Sequence, residues 1–268
     1  MRQFIASCLP DGTGQMPVTG DDYSHLCRVL RLDSGSPLEV RLPDSRLVRM
    51  RVRRVDRAER RALLEIAPDA GPAEGVAAAE VAEGFWTGTT FVLVQFLPRP
   101  PVFETILRQA AETGISTVIP VRGEYSQGPI WGDFARRMPR CRKILREARQ
   151  QSGSPVDTEL LPAMDAREAA AWWLAHRGRT MQDSCAAVML REFGAGAVPL
   201  KQALSVAGSG KIPLTVAIAV GCEGGMSAAE QRCLAESGFA AVHFPVNVLR
   251  CDTAALYGIA AVQSMIMH

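Results

Sequence analysis

Lysine is almost missing from this chain: Lys143, Lys201 and Lys211 are the only three in 268 residues, so arginine carries nearly all of the positive charge. The seven cysteines are an odd number and none stands in a C-x-x-C pair, which speaks against a disulfide framework and against a zinc site. The four histidines, His25, His176, His243 and His268, are scattered without metal-ligand spacing, so no metal is expected. No apolar run approaches the roughly 18 residues of a membrane helix. The run in Met1–Cys8 is too short for a signal peptide. A cytoplasmic protein with no membrane partner is the simplest expectation. No G-x-S-x-G nucleophile motif occurs, which leaves out the serine hydrolases built on that elbow. Gly208-Ser209-Gly210-Lys211 is not a phosphate loop, because Ser205 and Ile212 occupy positions that require glycine and Ser or Thr.

What is present is a globular composition, 47% apolar and 22% charged, long enough for one large or two ordinary domains. The net charge of +2 conceals an uneven distribution. Between Arg28 and Arg61 eleven arginines face five acids, and between Arg99 and Arg149 ten basic residues face five. Both segments suit a polyanion such as nucleic acid; the competing reading is an arginine-rich but ordinary solvated surface.

Residues 1–70 read as a small β-rich module. Leu38–Leu42 and Leu47–Val52 alternate apolar and polar, the period of half-exposed strands, and Pro43–Arg46 between them predicts a hairpin turn. Ala62–Ile66 reads as a further strand. Asp21–Leu30 reads as a short helix that would bring His25, Arg28 and Arg31 together at spacings of three. Residues 71–84, rich in Ala, Gly, Pro and Glu, read as a linker.

Residues 85–268 alternate strand and helix, which predicts an α/β domain with a mostly parallel sheet and helices on both faces. Strands are expected at Phe91–Phe96, Ile115–Val121 and Ala186–Leu190. Helices are expected from Val102 to Thr113 with Gly114 as cap, from Phe134 to Gln151 with a kink at Pro139, and from Asp165 to His176. The C-terminal stretch carries most of the information. Leu214–Val220 reads as a buried strand, followed by Gly221, Gly224 and Gly225, then by a capping box at Ser227 and Glu230. Ala240–Val246 reads as a second strand beside it, and Asp252 or Thr253 as the cap of the last helix. Two loops at the carboxyl ends of parallel strands are where α/β sheets bind ligands.

Taken in order, His25-Leu26-Cys27-Arg28-Val29-Leu30-Arg31, Glu112-Thr113-Gly114, Gln151-Ser152-Gly153, Gly221-Cys222-Glu223-Gly224-Gly225-Met226-Ser227 and Leu249-Arg250-Cys251-Asp252-Thr253-Ala254 span nearly the whole chain. This set resembles the ribosomal RNA small subunit methyltransferase E family of the SPOUT superfamily. The resemblance implies methylation of uridine N3 in 16S ribosomal RNA with S-adenosylmethionine as cofactor. It further implies a PUA-like β-barrel followed by a SPOUT α/β domain with a C-terminal trefoil knot, a homodimer, and 16S rRNA or the 30S subunit as partner.

Carried onto this sequence, the resemblance gives Arg250 the electrostatic role at the uracil carbonyl oxygens. Glu223 would bind ribose or a backbone amide, orient Arg250, or act as base. Gly221, Glu223, Gly224, Gly225, Phe244, Leu249 and Thr253 would hold the cofactor, and His25, Arg28, Arg31 and Arg146 would meet RNA. The chain departs from the family pattern at Pro101, Tyr125, Gln150, Ser154 and Asn247, positions expected to face RNA or the target base. Two other readings follow from those departures: a homologue that binds cofactor and RNA without catalysis, and a SPOUT enzyme with a different RNA target.

Overall fold

A computed structural model describes residues 3–67, 88–126, 131–179, 185–205 and 213–267. The expected linker at 71–84 and the Gly208–Lys211 stretch lie outside the described residues. The chain divides into two units, Met1–Phe85 with Gln150–Pro155, and Trp86–Arg149 with Val156–His268.

The first unit is a five-stranded sheet in the order β1 (Phe4–Ile5), β3 (Pro37–Arg41), β4 (Leu47–Asp56), β5 (Arg61–Ile66), β2 (Gln15–Val18). β3 and β4 pair antiparallel from Pro37 opposite Arg51 to Arg41 opposite Leu47, the expected hairpin. The alternation of β4 buries Met50 and Val52 completely against Val40 and Leu64. Strands β1 and β2 have too few alternating residues to be read from the sequence.

The helix expected over Asp21–Leu30 is shorter than its pattern. α1 (Gly20–Ser24) runs into a π turn at His25–Val29, where the Leu30 N–H reaches back to the His25 carbonyl at 3.0 Å. Arg31 then takes a left-handed backbone, φ 55°. The wider turn keeps Leu26 fully buried, and Arg31 stands outside any helix. The spacing of three therefore does not put His25, Arg28 and Arg31 on one helical face.

The second unit is a wholly parallel six-stranded sheet in the order β11 (Ala240–Val242), β9 (Cys185–Leu190), β10 (Thr215–Val220), β6 (Thr90–Phe96), β7 (Thr117–Val121), β8 (Glu159–Leu160). Period two decides its faces. Phe91, Leu93, Val216 and Ile218 point into one core with α2 (Pro100–Glu112), α3 (Met138–Ser152) and α7 (Cys251–Met267). Val92, Val94, Ala217 and Ala219 point into another with α4 (Ala166–Arg179) and α6 (Ala228–Glu236). A short helix, α5 (Leu200–Ala203), follows β9. Every central strand is covered on both sides, which is why these strands read as continuous apolar runs.

Several boundaries differ from the sequence reading. Pro139 falls in the first turn of α3, where its missing N–H costs nothing, so it starts a helix instead of kinking one. The strand expected over Ala240–Val246 stops at Val242, and β9 stands between it and β10. α7 begins at Cys251, which puts Asp252 and Thr253 inside its first turn and not at its cap. All seven cysteines are free thiols. No helix among the described residues is long and apolar enough to cross a membrane.

Candidate active site

Because the sheet is parallel, the loops leaving β6, β9, β10 and β11 emerge at one edge. They surround a cavity of about 620 Å³. Its floor is the glycine turn after β10. The Gly225 N–H donates to the Cys222 carbonyl at 2.9 Å, and Gly225 holds φ 75°. A Cβ on Gly221 would lie 2.8 Å from the backbone carbon and Cα of Gly225, so only glycine closes this turn.

The turn is braced from below. Gln95, fully buried in β6, donates through Nε2 to the carbonyls of Gly221 at 3.2 Å and Val220 at 3.3 Å. The Cys251 thiol donates to the same Gly221 oxygen at 3.1 Å. Burial, with the Glu223 charge second, pushes that thiol up to about 12, and burial likewise raises Cys222. Both sulfurs therefore stay protonated at neutral pH and serve as donors, not nucleophiles.

Glu223, on the turn, accepts the Arg99 backbone N–H through Oε1 at 3.0 Å. Arg99 is the N-cap of α2, so the carboxylate meets the positive end of a 13-residue helix. The far wall is the chain between β11 and α7. Phe244 stands edge-on to Tyr257 with ring centroids 5.0 Å apart. His243 Nδ1 lies 3.2 Å from the Arg191 carbonyl. At the mouth, Arg250 is 83% exposed, with Nε 3.9 Å from Oδ1 of Asp252. That oxygen is buried and makes no hydrogen bond.

Of the residues expected around the cofactor, Gly221, Glu223, Gly224, Gly225, Phe244 and Leu249 line the cavity together with Arg250. Thr253 does not: it lies in α7 with its side chain exposed and outside the cavity wall. His25, Arg28 and Arg31 belong to the first unit, His25 half-buried and the two arginines exposed. Arg146 is half-buried on α3. Nearby Arg149, part of the basic run expected to meet RNA, is buried and paired with Asp157 at 2.9 Å.

The departures from the family pattern fall into two groups. Gln150 and Ser154 are buried, and their carbonyls accept from the Gln3 backbone and side chain at 3.2 Å, so they face no RNA surface. Pro101, Tyr125 and Asn247 are exposed, and Asn247 lines the cavity. Sequence reasoning missed Arg99, Glu192 and Phe193 in the cavity wall and Gln95 beneath it. Gln95 did carry a signal, as the one amide in the apolar run Phe91–Phe96, where a buried polar group needs partners.

Residues 88–263 match the family model described as RNA methyltransferase domain. No curated protein matches the chain. Among solved structures, ribosomal RNA small subunit methyltransferase E from Neisseria gonorrhoeae, bound to S-adenosylmethionine, superposes with TM-score 0.72 at 21% identity, over 99% of this chain and 98% of that one. A protein from Legionella pneumophila, solved with the same cofactor, gives TM-score 0.73 at 20% identity over 98% of both chains. At such identities the likeness is one of fold.

Proposed function

We propose, from the premise that the chain belongs to the RNA methyltransferase domain family, that it methylates N3 of a uridine in 16S ribosomal RNA with S-adenosylmethionine as cofactor. The observation that carries the reading is the glycine-floored cavity with Arg250 exposed at its mouth.

The cavity suits that cofactor. Its volume is in the range of small-molecule sites, and its glycines leave backbone amides and carbonyls open to a ligand. Phe244, Leu249 and Val102 offer apolar contact for an adenine, while Oδ1 of Asp252, which accepts no hydrogen bond, and the carboxylate of Glu192 can accept from ammonium or hydroxyl groups. When bound, the cofactor supplies an electrophilic methyl group on a sulfonium sulfur.

The chain's own residues do the rest. The turn at Gly221–Gly225, pinned by Gln95, Cys251 and Glu223, fixes where the reacting centre sits, and such positioning is itself a large part of the rate of an in-line transfer. Arg250 stabilises negative charge on the uracil carbonyl oxygens as N3 loses its proton. Glu223 is committed to the Arg99 N–H and acts by holding the turn. Arg28 and Arg31 supply positive charge for the RNA backbone.

The same reading takes in a trefoil knot, a PUA-like first unit, a cytoplasmic location and a homodimer. In support of a second copy, Leu256, Tyr257 and Met265 on α7 are exposed apolar residues. In support of a knot, α7 leaves edge strand β11 and packs on α2 and β10, past the intervening β9. Nucleoside mass spectrometry of 16S rRNA from strains with and without the gene tests the function. N3-methyluridine lost on deletion and restored by complementation is expected; its persistence in the deletion strain contradicts the reading.

A further inference from the structure

Against the glycine turn, and outside the cavity lining, stands Tyr125. It follows β7, whose carboxyl end neighbours that of β6, two strands from β10. Gly224 lines the cavity, and a Cβ placed on it would lie 2.8 Å from Cβ and 3.2 Å from Cγ of Tyr125. The tyrosine therefore rests directly on the backbone of the turn, one residue's thickness from the cavity. Despite that contact it is 49% exposed. An aromatic ring left half open beside a site costs apolar exposure, and nothing in the core requires it there.

Hydrogen bonds brace the segment that carries it. Glu230 accepts the Glu124 N–H through Oε1 and the Ser227 N–H through Oε2, both at 2.7 Å. One carboxylate thus ties the Tyr125 turn to the start of α6 and hence to the cofactor turn. Ser126 closes the turn, its N–H donating to the Gly123 carbonyl and its hydroxyl accepting from the Gly123 N–H, each at 3.1 Å. Gly123 has no room for a side chain, since a Cβ would meet the Phe96 ring at 2.6 Å and Glu230 Oε1 at 2.8 Å. The ring is presented by a fixed support.

A rigid, half-exposed aromatic next to the site of a base-modifying enzyme matches how proteins take hold of unstacked bases, which lie face to face on Phe, Tyr, Trp or Arg side chains. We propose that Tyr125 is a specificity-determining residue that stacks on a nucleobase of the RNA substrate, and that Glu230 is the positioning residue that aims it. The proposal rests on the RNA methyltransferase reading above. Stacking needs the ring and not the hydroxyl, so Tyr125→Phe and Tyr125→Trp keep the function and Tyr125→Ala loses it.

The test uses the purified full chain and 16S rRNA extracted from a strain lacking the gene. RNA affinity is read by filter binding, cofactor affinity by calorimetry with S-adenosylmethionine, and KM and kcat by methyl transfer. Tyr125→Ala is expected to weaken RNA binding and raise the RNA KM about tenfold, the range of one lost base stack. Its cofactor affinity stays within about twofold of wild type, as for other exposed substitutions, and Tyr125→Phe matches wild type throughout. Unchanged RNA affinity in Tyr125→Ala overturns the proposal. So does an equal loss of cofactor affinity, which would make Tyr125 only a prop for Gly224. A wild-type protein that binds RNA but transfers no methyl group counts against the enzymatic reading, while the filter-binding comparison still decides Tyr125. A wild type that binds no RNA overturns both.

Discussion

Glu223 and Arg99 are joined across the mouth of two strands: the carboxylate Oε1 accepts the Arg99 backbone N–H at 3.0 Å. The bond ties the glycine turn to the first turn of α2, and it sets a charge against the positive end of that helix. Glu223→Ala should weaken S-adenosylmethionine binding about tenfold, the scale of one charge-assisted hydrogen bond. Glu223→Gln keeps an acceptor and should lose far less. Calorimetry on both variants checks this, and equal affinities in all three proteins would show that the bond does not hold the turn.

Gly221 faces a harder limit. Its missing Cβ would sit 2.8 Å from main-chain atoms of Gly225, which no rotamer change relieves. Gly221→Ala should leave the protein folded by circular dichroism, yet lower cofactor affinity by at least about tenfold, or about 1.4 kcal/mol. An alanine variant with wild-type affinity would mean that the ligand does not use this turn.

Much of this site was legible because glycines, capping residues and apolar runs are local signals. The strand at Thr215–Val220, the turn and the Ser227–Glu230 capping box all appear where the residues place them. What escaped was non-local. Arg99 enters the cavity only because β6 lies beside β10, and Phe193 because β9 lies on the other side. The π turn at His25–Val29 escaped because burial of Leu26 overrides the spacing that suggested a regular helix. Thr253 looked like a ligand contact as part of its motif, but the helix starts at Cys251 and turns its side chain outward. Gln150 and Ser154 read in the sequence as lost RNA contacts, but they are buried and bonded to Gln3, about 150 residues away.

The role proposed for Arg250 is at the reacting base and not in holding the fold, and its side chain is 83% exposed. Arg250→Ala should lower kcat about 100-fold, as for removal of one donor to a developing oxyanion, with the melting temperature and cofactor affinity unchanged. Arg250→Lys should recover only part, because a single ammonium cannot reproduce the guanidinium fork. Single-turnover methyl transfer is the measurement, and full activity in Arg250→Ala would remove its assigned role.

The buried thiols give a pH dependence with a definite sign. Cys251 is raised from its ordinary 9.0 to about 12 by burial first and the Glu223 charge second. A thiol raised on folding contributes stability that is intact below about 9 and is lost as pH climbs toward about 12. Iodoacetamide at mildly alkaline pH should therefore label exposed Cys8 while Cys251 stays unmodified until the protein unfolds. Peptide mass spectrometry across the pH range reads this directly, and early labelling of Cys251 would contradict its place under Gly221.

Under the proposed function this chain itself transfers a methyl group to a uridine. The most direct measurement incubates the purified protein with labelled S-adenosylmethionine and 30S subunits or 16S rRNA from a strain lacking the gene, then identifies the labelled nucleoside. N3-methyluridine formed by wild type, and nearly absent with Arg250→Ala, is the predicted result. A folded wild-type protein that binds the cofactor but labels neither substrate, or labels a different nucleoside, would contradict the account.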